Sequence, residues 1–280
     1  MTLELPAAAE AADLRLVLVD MDGTLLGGDG RIDPGFWALA ERLVADGVVL
    51  GAGSGRPYVT LVEQFGPFSE HMLFIAENGA HVVLDGATIS TAVMESDVVA
   101  RAVGIVRDVA SSGARTGTVL CGTSSAYAEF QDPDFLQEAR RYYTRLEIVD
   151  DLLGVTSEVV KVAVHDSGPV ADSAFPALQV LSGSHTVVLS GEHWTDVTNL
   201  GVTKGTALQH VQGLLGITPA QTVAFGDHLN DLEMLDAAGM SYAMENAHPQ
   251  VRTRARFTAP ANTSNGVGRV LEAMLDLAHG

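Results

Sequence analysis

The chain has 280 residues, which is enough for one large domain or two modest domains that each bury a core. Its formal net charge of −19 at pH 7 excludes nonspecific binding to nucleic acid or to an anionic membrane, since both need a cationic surface. No apolar run approaches the roughly 20 residues that span a bilayer, and residues 1–12 do not have the pattern of a secretory signal. The single cysteine, Cys121, cannot form an internal disulfide. We therefore expect a cytoplasmic protein.

The first predicted strand ends in two carboxylates. Residues 14–19 form a run that is apolar except for Arg15, and Asp20 and Asp22 follow it. Such a run predicts a strand buried on both faces, so the carboxylates should lie at its carboxyl end, where open α/β sheets bind ligands. Gly23 allows a sharp turn there, and the Thr24 hydroxyl can orient that turn. Two close carboxylates repel each other unless a cation that prefers oxygen ligands lies between them, and we predict Mg²⁺.

A hydroxyl and a flexible backbone follow the next predicted strand. A helix over residues 34–46 and an apolar run over residues 48–52 lead to Ser54, Gly55 and Arg56. The Ser54 hydroxyl and the Gly55 amide can donate hydrogen bonds to phosphate oxygens. We interpret Arg56 as structural rather than catalytic. The alanine-rich residues that precede the first strand, by contrast, predict only a frayed extension.

The interval between Ser54 and Lys204 is far longer than a single crossover between parallel strands requires. A third core strand is predicted at residues 72–76, and beyond it we place an inserted domain at residues 82–192. The remaining residues, 1–81 and 193–280, form the discontinuous core. Within the insertion the patterns indicate a mixture of helices and strands, namely a hairpin at 81–89, helices at 97–111 and 133–146, and strands at 159–165 and 185–190.

Lysine is rare in this chain, which has only Lys161 and Lys204. Lys204 opens a helical pattern, where a compact ammonium can face both a phosphate and a carboxylate. Lys161 lies on an alternating strand of the insertion, where it faces either a substrate or the solvent. The sequence leaves both interpretations open.

A second acidic cluster follows another apolar run. Residues 222–225 predict a fourth core strand, and Gly226 and Asp227 come directly after it, with Asn230 and Asp231 close behind. A fifth core strand is expected near residue 240. The clustering of acidic and amide side chains at strand ends indicates a ligand-binding edge of the sheet.

Taken in order, the segments at residues 20–25, 54–56, 204–205 and 226–231 resemble the four motifs of the haloacid dehalogenase superfamily of phosphohydrolases, in particular its Cof-type members. Three further segments match as well, at residues 76–80, 244–247 and 265–267. The resemblance implies an α/β fold: a doubly wound parallel sheet, with its first strand between the second and the fourth, and an inserted α/β cap of the C2 type.

The chemistry of the side chains and the resemblance together suggest roles. A carboxylate can attack phosphorus, so Asp20 is expected to be the nucleophile, and Asp22 the acid that protonates the leaving oxygen and then the base that activates water. The resemblance implies metal ligands from the Asp20 side chain, the Asp22 backbone carbonyl and the Asp227 side chain. The remaining candidates are expected to bind phosphate (Ser54, Gly55, Lys204 and Asn230) or to orient the other groups (Asp231 and Thr24).

These expectations describe a Mg²⁺-dependent phosphomonoester hydrolase for small phosphorylated metabolites, with sugar phosphates as the leading class. A phosphosugar mutase would use the same core chemistry but return the phosphoryl group to a sugar. Two further alternatives are a receiver-like signalling domain and a metabolite-binding protein without turnover. The receiver needs less than half of these residues and no long insertion, and the presence of both Asp20 and Asp22 argues against the loss of turnover. The sequence leaves monomer and homodimer open.

Overall fold

A computed structural model describes residues 3–279, and the contacts within it divide the chain into two compact units. Unit 1 contains the described residues up to Gly55, Pro67–Ala87, and the described residues from Thr203 onward. Unit 2 contains Arg56–Gly66 and Thr88–Val202. The domain limits expected from the sequence, at residues 82 and 192, stay a prediction. Within the described residues, no helix is both long and apolar enough to cross a membrane.

The strands of the described residues are, in chain order, β1 (Leu16–Asp20), β2 (Val49–Gly53), β3 (Leu73–Ala76), β4 (His81–Leu84), β5 (Ala87–Thr91), β6 (Thr116–Gly122), β7 (Ala126–Ala128), β8 (Leu146–Ile148), β9 (Val159–Asp166), β10 (His185–Leu189), β11 (Trp194–Asn199), β12 (Thr222–Gly226), β13 (Met240–Met244) and β14 (Phe257–Ala259).

The α-helices are α1 (Ala8–Ala12), α2 (Phe36–Ala45), α3 (Tyr58–Phe65), α4 (Ser96–Ser111), α5 (Pro133–Tyr142), α6 (Ala174–Leu178), α7 (Lys204–Leu215), α8 (Leu232–Asp236), α9 (Pro249–Arg254) and α10 (Gly266–His279). Short 3₁₀ turns connect several of them, including Glu77–Gly79 after β3 and Leu229–Asp231 after β12.

Unit 1 is built on a parallel sheet with β1 at its centre. The strands within the unit lie in the order β14-β13-β12-β1-β2-β3-β4, and only β4 runs antiparallel to its neighbour. Val19 lies opposite Ala52 on one side and Phe225 on the other. Because parallel strands end at the same edge, the residues that follow β1, β2 and β12 come together there. The predicted parallel α/β fold is confirmed, as is the place of the first strand.

The apolar composition of the central strands explains their position. Every residue of β1, β3, β12 and β13 is buried, which is typical of parallel strands that are covered on both faces. Tyr242 stacks between Phe225 and Phe257 and thereby links the outer strands to the core. Its hydroxyl donates a hydrogen bond to the Glu4 carbonyl.

The alanine-rich segment at the start of the chain is not a frayed extension, so that expectation was wrong. Residues 8–12 form α1, and Glu10 pairs with Arg256 at 2.5 Å. The Glu4 carboxylate also accepts a hydrogen bond from the Thr258 backbone amide. These contacts tie the segment to β14 and the residue before it, which the sequence does not indicate because the partners are about 250 positions away.

Unit 2 has a mostly antiparallel sheet in the order β10-β11-β9-β6-β7-β8. One face packs on α4 and α6 through apolar residues such as Val103, Val162 and Leu178. The other face packs on α5 through Phe135 and Ala139. The sequence predicted β9, β10, α4 and α5 within this unit, but it did not indicate β6, β7, β8 or β11.

The structure also decides the position of Lys161. Its side chain is buried in the sheet of unit 2, with 3% of the residue exposed, and its Nζ lies 5.7 Å from the centre of the Tyr143 ring. The interpretation of Lys161 as a solvated residue was therefore wrong. An ammonium over an aromatic ring is stabilised by the negative face of that ring.

Candidate active site

A buried ammonium lies between two carboxylates at the carboxyl edge of the unit 1 sheet. Lys204 is the first residue of α7 and is fully buried. Its Nζ donates hydrogen bonds to Asp20 Oδ1 at 2.5 Å and to Asp231 Oδ1 at 2.7 Å. With Asp227, these residues form what we call the acid–lysine cluster, consisting of Asp20, Lys204, Asp227 and Asp231. The structure thus brings together four of the residues that the sequence singled out.

Asp231 has both carboxylate oxygens engaged in hydrogen bonds. Oδ1 accepts from Lys204, and Oδ2 accepts from the backbone amides of Asp227 and His228 at 2.9 and 3.0 Å. A β-carbon on Gly226 would collide with this carboxylate, so glycine is required for Asp231 to approach the end of β12. Asp231 therefore orients Lys204 and the Asp227 backbone at once.

The turn after β1 is held against Asp227. The Thr24 hydroxyl donates to Asp227 Oδ1 at 3.1 Å. Gly23 has a φ of +81°, and a β-carbon there would collide with the Asp227 carboxylate. The Leu26 amide donates to the Met21 carbonyl at 2.9 Å and closes the turn. Both the conformation and the close approach at position 23 therefore require glycine.

The structure places Asp22 in this turn with an exposed side chain, while its backbone dihedrals, φ −77° and ψ 118°, are not helical. The Asp22 side chain therefore lies outside the buried carboxylates and is accessible from solvent. An exposed carboxyl in a turn suits a group that must exchange protons with a substrate and with water.

Ser54 and Asn230 are linked through Asn78. Ser54 is buried directly after β2, and its carbonyl accepts from the Asn78 amide at 2.9 Å. Asn230 Nδ2 donates to Asn78 Oδ1 at 3.0 Å, and the Asn78 side chain packs beside Gly55. Sequence reasoning gave Asn78 no role, although its place after the third core strand was a signal. Asn78 has a φ of +55°, a conformation that asparagine tolerates better than most residues.

The electrostatics of the cluster follow from burial and from an excess of negative charge. Burial by itself would lower the pKa of Lys204, but the adjacent Asp20 and Asp231 outweigh it and raise that pKa, so the ammonium stays charged. Burial raises the pKa of Asp20 well above its ordinary value, and the charge of Asp231 adds to this, while Lys204 opposes it. The pKa of Asp227 is raised by burial and by Asp231. One ammonium does not balance three carboxylates, so a further cation is favoured.

The donor atoms fit a hard divalent cation. Asp20, Asp227 and Asp231 each offer one carboxylate oxygen, and these oxygens lie within 4.8 Å of one another. Because both oxygens of Asp231 already accept hydrogen bonds, Asp20 and Asp227 are the better side-chain ligands. Carboxylate oxygens are the ligands that Mg²⁺ prefers. The Asp22 carbonyl stays a predicted ligand.

Not every candidate of the sequence analysis belongs to this unit. Arg56 and Lys161 are part of unit 2, whereas Asp20, Asp22, Ser54 and the other predicted site residues all belong to unit 1. Their arrangement can hold a cation and an anionic group at the edge of the sheet. The individual catalytic roles stay predictions.

Comparison with known proteins indicates the family of the chain. The family model described as haloacid dehalogenase-like hydrolase matches residues 17–271. A relative in Escherichia coli strain K12, 5-amino-6-(5-phospho-D-ribitylamino)uracil phosphatase YbjI, is 32% identical over 265 residues, which cover 94% of this chain and 96% of the relative. A second relative, 5-amino-6-(5-phospho-D-ribitylamino)uracil phosphatase YitU from Bacillus subtilis strain 168, is 27% identical over 273 residues, which cover 94% of this chain and 98% of the relative.

A solved structure shows the same fold. SMU.1108c from Streptococcus mutans UA159 superposes with a TM-score of 0.84 at 25% identity, and the match covers 94% of this chain and 99% of that chain. Family model, relatives and fold thus agree with the resemblance that the four motifs predicted, including its Cof-type branch. The chain therefore belongs to the haloacid dehalogenase-like hydrolases.

Proposed function

We propose that the protein is a Mg²⁺-dependent phosphomonoester hydrolase that acts on small phosphorylated metabolites through an aspartyl phosphate on Asp20. One observation carries the proposal. Lys204, fully buried, holds Asp20 Oδ1 at 2.5 Å and is itself held by Asp231 at 2.7 Å. A fixed ammonium favours the ionised form of Asp20 and orients it at the edge of the sheet where phosphate would bind.

The reaction has two steps. Asp20 attacks phosphorus, the bond to the leaving oxygen breaks, and Asp22 gives that oxygen its proton. Water then attacks the phosphorus of the aspartyl phosphate, Asp22 takes a proton from the water, and inorganic phosphate leaves as Asp20 is restored. Dividing one difficult hydrolysis into two displacements lowers each barrier. Ser54 and the Gly55 amide would hold phosphate oxygens throughout.

Lys204 would neutralise one phosphate oxygen, and Asn230 would add a further contact. The Asp20 and Asp227 side chains and the Asp22 carbonyl would bind Mg²⁺, whose positive charge lets an anionic phosphate approach an ionised carboxylate. Asp231 and Thr24 would keep Lys204 and Asp227 in place through the hydrogen bonds described above.

The names of two relatives support a substrate class. YbjI and YitU are named for a phosphate ester on a D-ribityl chain, which is chemically a sugar-alcohol phosphate. This supports sugar phosphates and related polyol phosphates as the leading class for this chain. The cytoplasmic location expected from the single cysteine is part of the same proposal, and the Cys121 thiol is buried.

The test is release of inorganic phosphate by the purified full chain with Mg²⁺ from a panel of sugar phosphates, polyol phosphates that include the ribitylaminouracil ester, and nucleotides. We expect turnover of several esters, and none by Asp20→Asn. Asp97→Asn, at an exposed position of unit 2, is the matched control and should be as active as the parent. Rearranged sugar phosphate without phosphate release would indicate the mutase, and no reaction with any ester would contradict the proposal.

A further inference from the structure

The turn that carries Asp22 is attached to the rest of unit 1 by two asparagine side chains. Asn246 Nδ2 donates to the Gly23 carbonyl at 2.8 Å, and Asn262 Nδ2 donates to the Leu26 carbonyl at 2.7 Å. The two asparagines are also bonded to each other, because Asn246 Oδ1 accepts from the Asn262 backbone amide at 3.1 Å. We call this pair the asparagine bridge.

The bridge joins the turn to two different strands. Asn246 lies two residues after β13 and Asn262 three residues after β14. On its other side the turn is fixed by the bond from Thr24 to Asp227, directly after β12. The turn begins at the end of β1 and is hydrogen-bonded to residues that follow three neighbouring strands of the same sheet, β12, β13 and β14.

The turn needs such external bonds because regular structure does not hold it. Asp22 and Gly23 have non-helical dihedrals, and the Leu26 amide donates a hydrogen bond to the Met21 carbonyl across the loop. A bond to the Gly23 carbonyl fixes the peptide plane between Gly23 and Thr24, one residue after Asp22. It therefore limits how far the Asp22 carboxyl can move, in the same way that bonds around a ligand residue set its orientation.

From this geometry we infer that Asn246 and Asn262 are positioning residues that hold Asp22 where it can protonate the leaving oxygen. The inference rests on the proposed function, since it presumes that Asp22 is the acid of that reaction. It adds two residues whose side chains hydrogen-bond to the turn and to each other's segment, away from the bonds that hold the acid–lysine cluster together. Their effect is on the geometry of proton transfer, to which reaction rates are sensitive at the scale of about 1 Å.

A positioning role for the acid predicts a dependence on the leaving group. An alkoxide needs a proton to depart, whereas para-nitrophenolate is a stable anion and departs without one. The quantity to compare is kcat/KM, because it reports the steps up to departure of the leaving group and not the later hydrolysis of the phosphoenzyme. Loss of the acid should therefore slow an alkyl phosphate much more than para-nitrophenyl phosphate.

The experiment measures kcat/KM of the full chain with Mg²⁺ for para-nitrophenyl phosphate and for the best alkyl phosphate of the substrate panel. Because a positioned acid contributes about 10²–10⁴ in rate, we expect Asn246→Ala and Asn262→Ala each to lose at least about tenfold with the alkyl phosphate and less than about threefold with the aryl ester. Asn246→Ser, which keeps a small polar side chain, should lose less than Asn246→Ala.

Gln221→Ala is the matched control. Gln221 Nε2 donates to Asp13 Oδ1, and its Oε1 accepts from the Thr218 amide, both at 3.1 Å. It thus makes the same two kinds of bond in the same unit, but it precedes β12 and so lies at the opposite edge of the sheet from Asp227. Its removal should leave both kcat/KM values within about twofold of the parent, a change below 1 kcal/mol by the usual conversion.

The outcomes distinguish failure of the positioning role of Asn246 and Asn262 from failure of the proposed phosphatase function. An equal loss with both esters, or no loss with either, would overturn the positioning role while the parent enzyme stays an active phosphatase. Thermal unfolding of each variant identifies a loss that comes from the fold, and in that case Asn246→Ser decides by its ratio of the two kcat/KM values. A parent enzyme that releases phosphate from no ester would overturn the proposed function, and with it the role of the bridge.

Discussion

The acid–lysine cluster of unit 1 and a charged group on unit 2 have nearly the same local geometry. On unit 2, Arg107 Nη2 lies 2.5 Å from Glu129 Oε2 and 2.6 Å from Asp151 Oδ1, while Lys204 Nζ lies 2.5 and 2.7 Å from its two carboxylates. In both places one cation bridges two acids. The side chains differ in exposure: none of Lys204 is accessible, against 41% of Arg107.

Because the distances are alike, the difference in burial determines how much each ion pair contributes to the free energy of folding. Exposed pairs are screened by water and salt and contribute about 0.2–1 kcal/mol. A buried pair costs desolvation when it forms, and removal of one partner leaves a charge without compensation, at about 3–5 kcal/mol. The Arg107 group is therefore an exposed ion pair within unit 2, whereas the acid–lysine cluster holds buried, unbalanced negative charge at the edge where we propose that a cation and a phosphate bind.

The largest expected effect comes from removing Asp20, the proposed nucleophile. Asp20→Asn should lower kcat by about 10⁴ or more, the scale for loss of a nucleophile from a catalytic unit, as measured by initial rates of phosphate release. Glu129→Gln makes the corresponding carboxyl-to-amide change in the Arg107 group of unit 2. It should leave kcat within about twofold of the parent value, far less than the loss expected for Asp20→Asn. A folded Asp20→Asn protein that keeps more than a tenth of the parent rate would remove Asp20 from its role.

The same variant should be more stable than the parent when no metal is bound. The pKa of Asp20 is raised in the folded protein, mainly by burial. A raised carboxyl pKa means that ionisation costs folding stability once the pH exceeds the unfolded value, so the neutral amide removes that cost. We expect a higher Tm for Asp20→Asn in excess chelator at neutral pH, because Asp231 still compensates the charge of Lys204. A lower Tm would show that the bond to Lys204 outweighs the burial of charge.

Removal of the metal should come next in size. Chelation should stop phosphate release and Mg²⁺ should restore it, because an anionic substrate cannot otherwise approach Asp20 closely. Asp227→Ala should raise the Mg²⁺ concentration needed for half-maximal rate by about tenfold or more, within the range for a disturbed metal site. Asp97→Ala, an exposed acid of unit 2, should not change it. Full activity in excess chelator would contradict the metal assignment.

Replacing each of the two bridging cations, Lys204 and Arg107, tests the comparison between the buried and the exposed group directly. Lys204→Met should reduce kcat about 10²–10³-fold, the scale for deletion of one preorganised donor, and Lys204→Arg should recover only part of this because a planar guanidinium does not replace a compact ammonium. Arg107→Met should leave kcat unchanged. Lys161→Met, at the other buried lysine, changes a residue of unit 2 and should retain turnover. A silent Lys204→Met beside an inactive Lys161→Met would refute the site.

The smallest expected effect is a change in the folding stability at low pH through the Arg107–Glu129 pair of unit 2. The hydrogen bond from Arg107 lowers the pKa of Glu129 below its ordinary value of 4.5. A lowered pKa gives stability that is complete above pH 4.5 and is lost as the pH falls through the folded value. Arg107→Gln should therefore cost less than about 1 kcal/mol at pH 7, and the difference from the parent should shrink in acid. Unfolding curves across this range measure it, and a constant difference would contradict the assignment.

Much of the unit 1 fold was predictable because its central strands are nearly continuous apolar runs, a pattern that survives without knowledge of partners. β14 was not predicted, since Phe257–Ala259 is only three residues long and carries little pattern. In unit 2, β6 was missed for another reason. Its seven residues include two glycines and two threonines, and its burial depends on neighbours that the sequence does not identify.

The site could be predicted to the extent that its residues follow strands directly. Asp20 is the last residue of β1 and Asp227 directly follows β12, and their proximity follows from the parallel sheet alone. Asn78, Asn246 and Asn262 follow strands as well, but their function depends on which carbonyl or amide each one reaches. Those bonds join parts of the chain that are more than 150 positions apart, so local patterns contain no information about them.

The central position of β1 has a consequence for the order in which the chain folds. Lys204 and Asp20 are separated by 184 residues, and Thr24 and Asp227 by 203, whereas unit 2 beyond residue 87 is one contiguous stretch. During synthesis from the N-terminus, that stretch emerges complete before β12 exists. Because contacts distant in sequence form slowly, β1 must wait with one apolar side unpaired. We expect the nascent chain to be most prone to aggregation in this interval, and its catalytic edge to be the last part assembled.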